Sequence, residues 1–125
     1  MKIKNEALVN SVQVLRKLNN AELPVRVSYK LAKNIKSIEK ELNIYEEEKQ
    51  KFINKYCEKD DEGNNKINED GTIKIIDTEK WNKDIKELLD IEAEINIEKI
   101  NIDELGKSDF KITPSELSLI DYMIK

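Results

Sequence analysis

Histidine is missing from all 125 residues. Its absence removes the commonest general base, the usual proton shuttle and the preferred zinc ligand together. Cysteine occurs once, as Cys57, so no thiolate cluster can hold a metal and no internal disulfide can form. A reducing cytosol is the natural setting for such a chain. Gly63, Gly71 and Gly106 stand singly in turn-like surroundings, and no glycine-rich phosphate loop exists. No apolar run approaches the roughly 18 residues that a membrane helix needs. The opening MKIKNEALVNSV also lacks the apolar stretch of a signal peptide. Carboxylates are plentiful, but Asp60-Asp61-Glu62 and Glu69-Asp70 lack the spacing of a calcium loop. These exclusions predict a protein that is not an enzyme and carries no cofactor and no metal.

Positive charge is unevenly made and unevenly placed. Of 22 basic residues only Arg16 and Arg26 are arginine. In a lysine-rich chain those two mark places where a planar, forked donor is wanted, unless they are left over by chance. Residues 1–40 carry nine Lys/Arg against three Glu, whereas residues 41–125 carry thirteen against twenty-three acids. The net charge of −4 repels DNA and RNA, so a phosphate-binding surface belongs to the N-terminal third.

What is present in strength is helical periodicity. Leu31, Ile35, Ile38, Leu42, Tyr45, Lys49, Phe52 and Tyr56 recur at steps of four and three, a heptad seam with one polar slot. Pro24 to Cys57 therefore reads as one helix of roughly 50 Å at 1.5 Å per residue. A rod of that length outruns a small core. It predicts a homo-oligomer, a dimer or higher, built on the rod or on a sheet edge.

Ahead of the rod, Asn5 is placed to cap a helix with Leu8, Val12, Leu15 and Leu18 inward and Val9 beside them. That helix ends near Asn19-Asn20 and folds back as an αα-hairpin at Leu23-Pro24. After Glu58 the segment CEKDDEGNNK breaks all periodicity. Asp70-Gly71 between alternating isoleucines predicts a hairpin turn. Asp77 caps a helix running to about Asp90, with Trp81, Ile85, Leu88 and Leu89 inward. Ile91 to Ile97 alternates as a half-wet strand, and the phase slips at Glu98-Lys99. Thr113-Pro114-Ser115-Glu116 forms a capping box ahead of a short helix. No internal repeat and no low-complexity tract is found.

The fold class is α+β and helix-rich: a helical hairpin with one long helix, an antiparallel sheet of about three strands, and two shorter helices. Residues 1–125 read as one domain, with a hairpin and rod at 1–58 and a small sheet with two helices at 64–125.

One face of the long helix's first turns gathers Arg26, Tyr29, Lys30, Lys33 and Asn34 at spacings of three and four. Forked and point-charge donors, a ring and an amide beside a helix N-terminus suit an anion. Arg16 joins them if the hairpin folds back. The competing reading is a solvated basic stripe with Tyr29 half-buried. Trp81 can stack on a base or ring, or else belongs to the core with Ile85 and Leu88. Cys57, with no histidine to activate it, reads as a structural thiol.

The runs LPVRVSYKLAKNIKSIEKEL (23–42), EKWNKDIKELLDIEAEINI (79–97) and ITPSELSLIDYMI (112–124) are similar to small, uncharacterised proteins of phages and prophages from low-GC Gram-positive, clostridial-type bacteria. The resemblance implies an accessory protein made in the cytoplasm of the infected cell. Two functions fit it. In one, a non-enzymatic anti-defence protein sequesters a phosphate-bearing signal of the cyclic ADP-ribose or cyclic nucleotide type, as phage sponge proteins do. In the other, the oligomeric rod binds a protein, either a host defence protein or a virion part.

Overall fold

The computed structural model describes residues 1–125. The long helix forms as read: α2 runs unbroken over Val25–Tyr56, 32 residues. Ahead of it lie β1 (Lys2–Lys4) and α1 (Asn5–Asn19), and after it α3 (Thr78–Asp90) and β2 (Glu92–Glu94). Two short helices, α4 (Ile102–Gly106) and α5 (Pro114–Leu119), and a 3₁₀ turn at Asp121–Met123 complete the chain. The fold is α+β and helix-rich, with a two-stranded sheet where about three strands were expected. The chain forms two compact units, Met1–Leu42 with Glu92–Lys125, and Asn43–Ile91. That division differs from the expected split into a helical half and a sheet half.

The first unit holds the apolar core. Leu8, Leu15, Leu18, Val27, Leu31 and Ile38 pack with Ile95, Ile100, Leu105, Ile120 and Met123. Along α1, Val14 is buried and Ser11 shares that face, while Val12 is only half-buried. Ser11 is tolerated there because its hydroxyl donates to the Leu8 carbonyl at 2.8 Å and meets the Tyr122 hydroxyl at 2.9 Å. Burial pushes the Tyr122 hydroxyl's pKa up, and the bond to Ser11 opposes the shift.

Asn5 does not take the cap position of α1: Lys4 occupies it without a side-chain capping hydrogen bond, and Asn5 is buried. At α5 the capping box is complete, with Glu116 N–H on Thr113 Oγ1 at 3.1 Å and Thr113 N–H on Glu116 Oε1 at 3.0 Å. The sheet pairs β1 with β2 antiparallel, setting Lys2 opposite Glu94, Ile3 opposite Ala93 and Lys4 opposite Glu92. Opposite charges face each other on the wet side and apolar residues on the dry side. Ile91 lies before this strand and is exposed.

In the second unit the segment after α2 is a three-way β junction. Glu58 N–H donates to the Lys74 carbonyl at 2.8 Å, Lys74 N–H to Lys66 at 3.2 Å, and Lys66 N–H to Glu58 at 2.7 Å. The three residues stand eight apart and close a ring of hydrogen bonds. Between them sit two equivalent turns. Asp60 N–H bonds the Asn64 carbonyl and Gly63 N–H bonds Asp60; eight residues on, Asn68 N–H bonds Thr72 and Gly71 N–H bonds Asn68. Gly63 and Gly71 take matching positive φ of 84° and 86°, which glycine adopts without steric cost. Ile76 N–H on the Tyr56 carbonyl at 2.9 Å closes the third arm. The segment read as aperiodic is thus an eight-residue repeat, and the expected hairpin at Asp70-Gly71 is its second arm.

Glu58 carries the side-chain counterpart of the ring. Its carboxylate meets Lys74 at 2.8 Å and Lys66 at 3.4 Å, and these lysines hold its pKa below the usual carboxylate range. Asp77 caps α3 as expected, accepting from Lys80 N–H at 3.1 Å. Tyr56 donates its hydroxyl to Asp84, and that bond pushes the phenol's pKa up to about 12.

The heptad seam is covered by the chain itself. Tyr45 is 4% and Tyr56 7% exposed, with Leu42 and Phe52 half-buried. The length of the rod therefore does not by itself call for a second copy to cover the seam.

Candidate functional site

The residues singled out in the sequence do not all reach solvent. Asn34 is the clearest correction: it is fully buried, at 0% exposure. Its Nδ2 donates to the Glu98 carbonyl at 2.9 Å, and its Oδ1 accepts from Glu98 N–H at 2.8 Å. The side-chain amide imitates a neighbouring strand and satisfies both backbone groups where the 91–100 segment changes phase. Asn34 lies one turn from Leu31 and Ile38 on the inner face of α2, which is the sequence signal for this role.

Lys33 and Lys30 also face the 98–99 segment. Lys33 Nζ reaches Glu98 Oε1 at 3.3 Å and stands 4.9 Å from the centre of the Tyr29 ring. Lys30 Nζ approaches the Lys99 carbonyl at 3.5 Å, which is a long contact. Arg26 is exposed with no ion pair, as is Arg16 on α1. Trp81 belongs to α3 in the other unit and is half-buried.

What remains outward on α2 is more apolar than the basic face expected. Val25 is 84% exposed and Tyr29 63%, while Val27 and Leu31 on the opposite side are buried. Val25, Tyr29, Ala32 and Leu23 line an open cleft of about 360 Å³. A second cleft of about 490 Å³ runs along the corner between α1 and α2, where Glu22, Leu23 and Pro24 face Lys107, Asp109 and Phe110. Leu23 is common to both. Sequence reading missed the second cleft because its two walls lie more than 80 residues apart along the chain.

Each cleft has an aromatic ring with an ion-paired lysine beside it. Lys17 Nζ lies 5.3 Å from the Phe110 ring centre while bonding Glu116 at 2.9 Å. Lys33 does the same for Tyr29 through Glu98. A cation over an exposed ring contributes about 0.5–1 kcal/mol.

No group of His, Cys, Asp or Glu is arranged to hold a metal ion. No helix is long and apolar enough to cross a membrane. Comparison with protein-family models, curated proteins and solved structures finds no match.

Proposed function

We propose that this is a non-enzymatic binding protein that takes a partner protein on the α1–α2 corner and the first turns of α2. The observation that carries the reading is the exposure of Val25 and Tyr29 beside the unpaired Arg26, on a helix whose other face is packed. Apolar and aromatic side chains with an arginine are the residue types that anchor protein interfaces. The clefts are open, whereas a small-molecule site normally surrounds most of its ligand. With Asn34 and Lys33 engaged by Glu98, the donors proposed for a phosphate shrink to Arg26, Arg16 and the loosely held Lys30. The resemblance to phage proteins supplies the setting: a host defence protein or a virion part met in the cytoplasm of an infected cell.

A second reading keeps one observation of its own. The Tyr29 ring is 63% exposed with Lys33 4.9 Å from its centre, and a base could stack on it while the exposed Arg26 meets a phosphate. That arrangement would serve capture of a cyclic nucleotide or an ADP-ribose-type signal. A photo-crosslinker at position 29 tests the first reading. It should trap one partner protein in cells, and the Val25→Glu, Arg26→Glu variant should release it while melting at the wild-type temperature. If no partner is trapped, and ADP-ribose-type or cyclic nucleotides raise the melting temperature, the second reading replaces the first.

A further inference from the structure

We propose that the outward face of the first half of α2 docks an acidic helix of a partner protein. This rests on the protein-binding reading and names the partner's chemistry. Arg26, Tyr29, Lys33, Lys36 and Lys40 follow one another at steps of three, four, three and four, and all five are exposed. Val27, Leu31, Asn34 and Ile38, on the other side of the same helix, are buried. The outer stripe therefore runs along the helix for about 21 Å at 1.5 Å per residue. A helix laid beside it presents its own residues at the same spacing.

Charge identifies the occupant. Arg26, Lys36 and Lys40 are in no ion pair, while Lys33 meets Glu98 at 3.3 Å. Glu39 is the one acid between residues 25 and 40, and it stands about 100° round the helix from Lys40, outside the stripe. Three unpaired cations in line call for carboxylates. Beside Lys33 and Lys36 lies a cleft of about 460 Å³ that is also walled by Ser37, Asn96 and Glu98. A carboxylate entering there meets the Lys36 ammonium, a hydroxyl and an amide, and the one acid in its wall is already paired with Lys33. At the start of the stripe Val25 and Tyr29 offer apolar contact, so the docking helix carries an apolar residue at that end. A nucleic-acid backbone would make no use of Val25, and the chain's net charge of −4 opposes a long polyanion.

A synthetic helix-forming peptide with glutamates spaced at three and four and a Leu/Trp turn at one end tests this. The same peptide with Gln for every Glu, and a short DNA duplex, serve as comparisons. Each is titrated into ¹⁵N-labelled protein. The acidic peptide should move amides within 25–40, bind roughly tenfold tighter than the Gln peptide and weaken as salt is raised. The Lys36→Glu, Lys40→Glu variant should lose that tenfold preference, and Lys36→Gln, Lys40→Gln part of it, both melting at the wild-type temperature. Equal binding of the acidic and Gln peptides, or no shift within 25–40, overturns the acidic-helix proposal. So does DNA bound as tightly as the acidic peptide, which would make the stripe a general polyanion surface. A partner protein still trapped by the crosslinker at position 29 would in each case leave the protein-binding reading standing.

Discussion

The two compact units of this protein are held by different means. In residues 1–42 with 92–125, a contiguous cluster of buried aliphatic side chains joins both helices to the C-terminal segment. In residues 43–91, the fully buried apolar residues are Tyr45, Tyr56, Cys57 and Leu88. There the backbone ring at 58, 66 and 74, the Glu58 ion pairs, the Tyr56–Asp84 bond and the Asp77 cap fix the conformation. Aliphatic burial depends on volume and is indifferent to pH. The second kind of structure depends on donor geometry and on ionisation. Each unit should therefore yield to a different kind of change.

Leu8, which has no exposed surface, is the most sensitive position of the first unit. Leu8→Ala should cost about 3 kcal/mol by loss of transfer energy and creation of a cavity. Residue-resolved hydrogen exchange should show the loss in residues 1–42 and 92–125. Next comes Asn34→Ala, which strips both backbone groups of Glu98 of their partner and should cost about 2 kcal/mol. If Asn34→Ala were neutral, the strand-like clamp would be incidental.

In the other unit, Gly71→Ala meets no atom within 4 Å, so its cost is conformational alone: about 1 kcal/mol for a side chain at φ 86°. Its exchange signature should stay within residues 57–76.

The pH responses are smaller and run in opposite directions. The Glu58 pKa is depressed in the fold, so its stabilisation is present above the ordinary glutamate pKa and is lost as pH falls through the lowered value. The Tyr56 pKa is raised from 10.0 to about 12, so its contribution is complete below 10.0 and fades between the two values. Melting temperature against pH should lose the acid-side loss in Glu58→Gln and the alkaline-side loss in Tyr56→Phe. An unchanged profile in either variant would assign that response elsewhere.

Long-period features could be read from the sequence because they repeat many times. The α2 seam, the Asp77 cap, the Thr113 capping box and the Asp70-Gly71 turn are all where periodicity and local chemistry put them. Three features were not legible. The strand Lys2–Lys4 is too short to establish alternation, and its only signal is charge complementarity with Glu92–Glu94. The β junction escaped because its copies conserve backbone bonding rather than side chains: Asp60 stands where Asn68 stands, and Asn64 where Thr72 does. At the candidate site, spacing placed Arg26, Tyr29, Lys30 and Lys33 near one another on α2. It could not say that Glu98 would engage Lys33 and Asn34, because that pairing joins segments far apart in the chain.

The ring at Glu58, Lys66 and Lys74 has a genetic corollary. A gain or loss of eight residues in this stretch would add or remove one arm. Yet the circle is closed: each of its three donors already has its acceptor, and an extra arm would find no place to join. Related genes should therefore differ here in the letters of the turns and keep the number of arms at three.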